Sequence, residues 1–186
     1  MQKNLQDYVK VYNGFLDEKL CDSAVENLKS IHFQKHQFYD SVSNSYHSFD
    51  KELSISSGNI PEKSAIQDRF WYAIRDYLNE FQFKWYNSWN GYSEIRFNRY
   101  DVNTQMELHC DHIQSMFDGQ RKGVPILSVL GALDDGYKGG EFVMWEDTVI
   151  DMPKGSVMVF PSNFMYPHKV NEITEGVRHS VVSWVF

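Results

Sequence analysis

The stretch Glu94-Ile-Arg-Phe-Asn-Arg-Tyr100 alternates apolar and polar side chains. Because successive side chains of a β-strand point to opposite faces, this alternation predicts a strand. Ile95 and Phe97 would share the apolar face, and the polar face would carry Arg96, Asn98 and Tyr100. Similar short runs follow, separated by glycine-rich turns, over residues 126–133, 141–146, 156–160 and 178–186. Such a series of short strands predicts a mainly β fold with some α, a double-stranded β-helix or jelly roll.

Two helices are predicted before these strands. Asp17 can cap the first helix, in which apolar residues recur at helical spacing from Leu20 to Ile31. The second is expected to begin at Ser64, because Ser64 and Gln67 fit a capping box. We expect both N-terminal helices to pack on one sheet of the jelly roll.

Residues 35–63 are polar and rich in serine, with little periodicity. We therefore expect them to form a long excursion, a candidate lid. Without a recognisable linker or internal repeat, the chain is predicted to be a single domain over residues 1–186. Within it, residues 1–90 would supply a strand, helical support and the candidate lid, and residues 91–186 the jelly-roll core.

The composition restricts the classes of partner and the cell compartment. With 186 residues, 42% hydrophobic residues and a net charge of −7, the sequence is typical of a globular domain and offers no basic surface for nucleic acid. No apolar stretch reaches the length of a membrane span or resembles a signal peptide. Cys21 and Cys110 form no disulfide framework. These observations predict a soluble, cytoplasmic protein that uses neither nucleic acid nor membrane; they do not predict the oligomeric state.

The motif that carries chemistry is His109-Cys-Asp111, followed far downstream by His168 and then Arg178. In an extended segment His109 and Asp111 point to the same face. Two histidines and one carboxylate can hold one face of an octahedral Fe(II) ion and leave the other face open. Arg178 adds a planar cation that suits a carboxylate. The ordered set favours a metal site over a surface histidine pair, and it favours an anion anchor over a structural ion pair for Arg178.

The residues around this motif are less decisive. Tyr100 is suited equally to hydrogen bonding a cosubstrate and to aromatic packing. Arg96 and Asn98 could contact a substrate or form a polar pair at the barrel rim. His112 is adjacent to the motif but is expected on the other face.

Several separate pieces of the chain, together with the His109, Asp111 and His168 set, are similar to one family. They are Arg99-Tyr100, Leu133-Asp-Asp, Gly139-Gly-Glu141, Pro153-Lys-Gly155 and Gly176-Val-Arg178-His-Ser180. In order and spacing they resemble the 2-oxoglutarate- and Fe(II)-dependent oxygenases, specifically the prolyl 4-hydroxylase-like group. The resemblance covers residues 90–186 well and the N-terminal third only in outline.

The resemblance implies a role for each matching residue. His109, Asp111 and His168 would be the iron ligands, and Arg178 would anchor the distal carboxylate of 2-oxoglutarate. Tyr100 would hydrogen bond the same cosubstrate. Alternation along the last strand puts Arg178, Ser180 and Trp184 on one face, so Trp184 is expected to line the same pocket.

Ala132 departs from the family pattern, because many relatives have a second tyrosine there. The missing hydrogen bond is either absent or supplied by Ser128 or Ser180. Arg178 also replaces the lysine of collagen-type relatives, which does not fix the substrate.

The implied reaction converts 2-oxoglutarate and O2 into succinate and CO2 while it hydroxylates an unactivated C–H bond. Fe(II) would be the metal, with ascorbate as a candidate auxiliary reductant. The resemblance favours C4 of a prolyl residue in a peptide or protein. A free amino acid or another small molecule remains an alternative, as does a cupin-type metal protein, although cupins usually cluster two histidines and a glutamate on one segment.

Overall fold

The computed structural model describes residues 3–40, 42–84, 91–111 and 124–186. These residues form one short 3₁₀ helix (Leu5–Tyr8), two α-helices and fifteen strands. The helices are α1 (Glu18–Leu28) and α2 (Lys63–Phe81). The strands are β1 (Lys10–Tyr12), β2 (Gln34–Lys35), β3 (Phe38–Asp40), β4 (Ser45–His47), β5 (Ser54–Ser56), β6 (Arg96–Tyr100), β7 (Met106–His109), β8 (Leu127–Ala132), β9 (Lys138–Gly139), β10 (Phe142–Met144), β11 (Thr148–Ile150), β12 (Val157–Pro161), β13 (His168–Val170), β14 (Ile173–Glu175) and β15 (Arg178–Val185).

Two antiparallel sheets form the jelly roll. The larger has seven strands in the order β1-β12-β8-β15-β6-β5-β2, and the smaller has four in the order β11-β10-β13-β7. An apolar cluster drawn from both sheets, which includes Met106, Phe142, Phe160 and Trp184, is buried. The predicted jelly roll is confirmed, and the predicted C-terminal strands appear within a residue or two of their expected bounds.

The opposite face of the large sheet packs against both helices. Ile66, Phe70 and Ile74 of α2 share a buried cluster with Phe97 and Val181 of the sheet. The two faces of β6 therefore separate as the alternation predicted, with Phe97 toward the helices and Tyr100 toward the other core. The predicted packing of helices on one sheet is confirmed.

The two predicted helix starts had different outcomes. Asp17 accepts a hydrogen bond from the Leu20 amide at 2.9 Å, as a helix cap does. The predicted start at Ser64 is wrong, because α2 begins at Lys63 and the residue before it, Glu62, makes no side-chain cap. The Glu62 carboxylate instead accepts a hydrogen bond from Asn27 of α1 at 3.0 Å, so a contact between the helices fixes this start.

The segment 35–63 contains more regular structure than its sequence indicates. β2 and β5 extend the large sheet beside β6, with Ile55 paired to Asn98, and β3 and β4 form a separate hairpin. The expectation of a long excursion is wrong for these strands. Together with β1, the N-terminal half thus supplies three strands of the large sheet. Within the described ranges, neither helix has the length and apolar character needed to cross a membrane.

Candidate active site

Two histidines meet where β7 and β13 run side by side. His109 of β7 pairs with His168 of β13, and the next register pair joins Met106 to Val170. β7 therefore has one more residue than β13 in this interval, which is a β-bulge. Residues three apart on a regular strand face opposite sides, but the bulge lets Met106 and His109 line the same cavity. Asp111 follows β7 and lines it too.

The three side chains bring their ligand atoms together. The Nε2 atoms of His109 and His168 lie 3.6 and 3.9 Å from Oδ1 of Asp111. One ligand atom from each residue can be chosen so that all lie within 4.8 Å of one another. An ion with bonds of about 2.1 Å needs neighbouring ligand atoms about 3 Å apart, so small adjustments suffice. Two imidazoles and a carboxylate are the donor set of non-haem Fe(II) enzymes.

Both histidines are oriented by the backbone two residues before them. His109 Nδ1 lies 2.8 Å from the Glu107 carbonyl, and His168 Nδ1 lies 3.1 Å from the Tyr166 carbonyl. Since a carbonyl can only accept, each Nδ1 carries the proton and each Nε2 keeps its lone pair for a metal.

The charge states also suit a metal. Burial lowers the pKa of His168 to about 4, and Asp111 offsets only part of this effect, so the ring is neutral at neutral pH. Burial would raise the pKa of Asp111, but His168, His109 and the Ser128 hydrogen bond hold it below its usual value. For His109 burial lowers the pKa, yet the hydrogen bond and charge of Asp111 outweigh it and raise it.

Asp111 is held by a short chain of buried hydroxyls. Ser128 of β8 donates to Oδ2 of Asp111, and its Oγ lies 2.8 Å from Oγ of Ser162. All three residues are buried. The hydrogen bond occupies the carboxylate oxygen that faces away from the histidines and so fixes the orientation of the other.

Arg178 lies at the other end of the cavity. It is 3% exposed, and no carboxylate among the described residues lies within ion-pair distance of it. Its guanidinium carbon lies 5.0 Å from the ring centre of Tyr100 and 5.9 Å from that of Tyr137. Its Nη1 lies 3.4 Å from Oγ of Ser180, which is long for a hydrogen bond. A buried cation without an anion is costly, so this site is prepared for an anionic ligand.

A glycine makes room for the arginine. Gly140 has a φ of +68°, and a Cβ there would meet Cδ1 of Ile173 at 2.3 Å and Cδ of Arg178 at 3.2 Å. Only glycine adopts this conformation without strain and leaves that space. The conformation of the Gly139-Gly140 turn is thus tied to the position of Arg178.

Asp134 belongs to Leu133-Asp-Asp, another of the sequence pieces that are similar to the family. Its carboxylate accepts hydrogen bonds from the backbone N–H of His179 at 2.9 Å and from Nδ1 of that ring at 2.6 Å. The contact fixes the start of β15 one residue after Arg178.

Tyr100 and Ser180 lie close to the arginine. Tyr100 is paired across the sheet with Arg178, and Ser180 with Ala132. Burial raises the pKa of Tyr100, and the nearby Arg178 only partly offsets it, so the hydroxyl stays protonated and can donate to a carboxylate. Ser128 and Ser180 were the two alternatives for the cosubstrate hydrogen bond that is missing because position 132 is alanine. Ser180 lies beside Arg178, whereas Ser128 donates its hydrogen bond to Asp111.

Arg96, Asn98 and Trp184 line the same cavity. Arg96 donates to Asn98 at 3.1 Å, and its guanidinium carbon lies 4.9 Å from the Trp184 ring centre. The buried Trp184 Nε1 has no partner among the described residues. Trp184 pairs with Ser128, so it lies at the metal end of β15 rather than beside Arg178.

The structure brings together every residue predicted for this site, and adds three. Ser162, Tyr137 and Gly140 were not singled out for it, although Gly139-Gly140 was recognised as a motif. Ser162 and Tyr137 carry no local sequence signal, because strand pairing and turn geometry bring them to the site. His112 lies outside the described residues. Neither Cys21 nor Cys110 forms a disulfide bond in the described structure.

Comparison with known proteins supports the same class. Residues 95–186 match the 2OG-Fe(II) oxygenase superfamily. A PKHD-type hydroxylase from Rippkaea orientalis is 36% identical over 97 residues, which make up 49% of this chain and 41% of that protein. The matched part is about two fifths of the length of the curated relatives.

Solved structures share the fold over nearly the whole chain. A viral collagen prolyl hydroxylase from Paramecium Bursaria Chlorella virus-1 aligns with a TM-score of 0.69 and 18% identity, over 96% of this chain and 95% of that one. A prolyl hydroxylase from Trichoplax adhaerens, in complex with a hypoxia inducible factor peptide fragment, aligns with a TM-score of 0.71 and 18% identity, over 96% and 83%. Residues 95–186, which carry the His-Asp-His site, therefore belong to the 2OG-Fe(II) oxygenase superfamily, whose members use Fe(II) and 2-oxoglutarate, and the chain is prolyl 4-hydroxylase-like in fold.

Proposed function

We propose that the protein is a 2-oxoglutarate- and Fe(II)-dependent dioxygenase that hydroxylates an unactivated C–H bond. One observation carries this proposal. A single cavity joins the His109, Asp111 and His168 cluster to Arg178, a buried cation with no anionic partner among the described residues. A 2-oxoglutarate molecule suits both ends of this cavity, because its keto acid group can bind the metal and its distal carboxylate can pair with the arginine.

The iron would be held by Nε2 of His109, Nε2 of His168 and Oδ1 of Asp111. When bound, it supplies chemistry that side chains lack, since O2 and 2-oxoglutarate become succinate and CO2 as one oxygen atom enters a C–H bond. The protein's own residues bind the metal and keep its ligands in orientation. The Glu107 and Tyr166 carbonyls hold the imidazoles, and Ser128 holds Asp111.

The cosubstrate would be anchored by Arg178, with hydrogen bonds from Tyr100 and Ser180 to its distal carboxylate. The aromatic faces around Arg178 exclude water and leave its N–H groups directed at the ligand. We assign Ser128 to the metal end of the cavity, as a support for Asp111. Trp184 belongs to the same end, where its unpartnered N–H can meet a ligand or substrate oxygen.

A prolyl residue of a peptide or protein, oxidised at C4, is the substrate that we propose. Two supports favour it: the fold is shared with proteins described as prolyl hydroxylases, and Arg96, Asn98 and Trp184 offer a polar and aromatic wall beside the metal end. A free amino acid is the alternative substrate.

Anaerobic titration tests the cofactor assignment. We expect a visible charge-transfer band only when Fe(II) and 2-oxoglutarate are both present, and we expect Asp111→Ala to remove it. Folded wild-type protein that gives no band would reject the oxygenase function.

Mass spectrometry tests the substrate. Proline-containing peptides should gain one oxygen atom only with 2-oxoglutarate, Fe(II) and O2, and ascorbate should raise the yield. Oxygen found only on other residues or on a free amino acid would reject the prolyl assignment and leave the oxygenase function standing.

A further inference from the structure

A second groove lies outside the barrel, directly beside the metal site. It measures ≈ 590 Å³ and runs between the β3–β4 region and β7. His109 lines both this groove and the metal cavity, so the two adjoin at the residue that would hold the iron. A chain lying in the groove would pass next to the metal.

The groove has an apolar wall that the fold leaves uncovered in the described structure. Phe49 is 57% exposed and Leu108 is 45% exposed. Phe38 supports Phe49, with ring centres 5.8 Å apart. Leu108 belongs to the bulged stretch of β7 between Met106 and His109, so the bulge that turns His109 inward also leaves Leu108 in the groove. Exposed apolar residues that adjoin one another mark a contact surface.

The charged residues of the groove leave an excess of negative charge. Lys51 is paired with Glu172, and Lys35 donates to the Asp50 backbone carbonyl at 2.8 Å. The carboxylates of Asp50 and Glu107 have no ion-pair partner among the described residues, and the Glu107 carboxylate accepts only from Gln105. Among the described residues that line the groove, Lys51 thus stands against the two carboxylates of Asp50 and Glu107.

We propose that this groove selects an extended peptide substrate that carries an apolar residue and a lysine or arginine next to the hydroxylated residue. The apolar side chain packs on Phe49 and Leu108, and the basic side chain pairs with Glu107 or Asp50. This inference rests on the proposed hydroxylase function, since it specifies which peptides that site accepts. A free amino acid would not reach the groove, whose lining residues lie outside the metal cavity except for His109.

Binding of short fluorescein-labelled peptides tests the proposal. Each peptide has one central proline and one neighbouring pair of residues, which is Leu-Lys, Leu-Glu or Gly-Lys. Each pair is placed before the proline in one peptide and after it in another, and the peptides are otherwise identical. In the anaerobic complex with Fe(II) and 2-oxoglutarate, we expect the better Leu-Lys peptide to bind about five- to tenfold more tightly than its Leu-Glu counterpart, because lysine gains one partly exposed ion pair where glutamate would be repelled. Equal binding of these two peptides would overturn the proposal.

Paired variants test the charged contacts and the apolar contacts of the peptide separately. The double variant D50N/E107Q should reduce the Leu-Lys to Leu-Glu ratio to about one to two. E18Q/D68N removes the same charge from the exposed faces of α1 and α2 and should leave the ratio unchanged. Phe49→Ala should weaken the preference for Leu-Lys over Gly-Lys severalfold, and Tyr72→Ala, an exposed aromatic on α2, should not. A ratio that falls equally in test and control variants would reject the groove.

The same peptides distinguish this proposal from the proposed function. Selective binding without oxygen gain on proline would reject the prolyl assignment and keep the groove. Oxygen gain on all peptides alike, without selective binding, would keep the hydroxylase and reject the groove.

Discussion

The two ends of the site cavity are prepared in opposite ways. At the metal end, the groups that would hold iron already have hydrogen-bond partners: both Nδ1 atoms donate to carbonyls and Asp111 accepts from Ser128. At the anchor end, Arg178 is buried with aromatic rings around it and no anion among the described residues.

This difference shows where ligand binding should affect stability. The metal end is satisfied without its ligand, so iron binding depends on geometry. The anchor end carries a charge with no anionic partner among the described residues, which a carboxylate ligand would compensate. A substitution at the anchor should therefore change affinity and stability in opposite directions, and a substitution at the metal end should not.

Arg178→Met gives the largest expected effect. Loss of the cation from a buried charge pair costs about 2–5 kcal/mol, so the affinity for 2-oxoglutarate should fall tens- to thousands-fold. The Tm of the ligand-free protein should stay equal or rise, because a buried cation without a partner is removed. Anaerobic calorimetry and thermal melting measure both quantities.

Arg99→Met is the matched control for this prediction. Arg99 is partly exposed and paired with Asp101, so its loss should change neither the affinity nor the Tm by much. If Arg178→Met melts well below the wild type, the aromatic contacts of the arginine stabilise the fold more than its burial destabilises it, and the contrast between the two ends fails.

Two buried serines provide the second prediction: Ser128, which lines the cavity, and Ser180, which lies beside Arg178. Ser128→Ala should weaken Fe(II) binding about 10- to 100-fold, since partners of ligating groups have effects of that size. Ser180→Ala should leave Fe(II) binding near the wild-type value and weaken 2-oxoglutarate binding severalfold. Chelator competition measures the first affinity and the charge-transfer band the second. The reverse pattern would assign Ser128 to the cosubstrate and Ser180 to the metal end.

The faces of the strands could be predicted from the sequence because strand periodicity is local. Alternation over residues 94–100 separated Phe97 from Tyr100, and the same rule placed Arg178, Ser180 and Trp184 on one face of β15. The ligand set could be predicted because His109 and Asp111 are close in sequence. The bulge in β7 could not be predicted from the sequence, since it depends on the pairing register of β7 with β13, and β13 lies far away in the chain.

Local sequence patterns failed to predict the elements whose bounds depend on contacts between distant parts of the chain. The capping box at Ser64 is present in the sequence, but contacts of Glu62 with α1 and of Lys63 with Glu94 set the start of α2. β2 to β5 have two or three residues each, too few for alternation to be visible, and they form only because neighbouring strands pair with them. Tyr137 likewise reaches Arg178 only through a turn whose shape depends on glycines.

The two tyrosines beside Arg178 give the smallest expected effect. Both rings face the guanidinium, but of the two tyrosines Tyr100 lines the cavity and Tyr137 does not, so we expect the Tyr100 hydroxyl to donate to the cosubstrate. Tyr100→Phe should raise the apparent KM for 2-oxoglutarate about three- to tenfold, which lies within the usual net contribution of one hydrogen bond. Tyr137→Phe keeps its ring and should leave KM unchanged, whereas Tyr137→Leu removes one cation–π contact and should raise KM about two- to fivefold. Steady-state measurements at saturating Fe(II) distinguish these outcomes. An effect of Tyr137→Phe as large as that of Tyr100→Phe would mean that Tyr137 supplies the hydrogen bond missing at Ala132, and the anchor would then consist of two tyrosine hydroxyls rather than one.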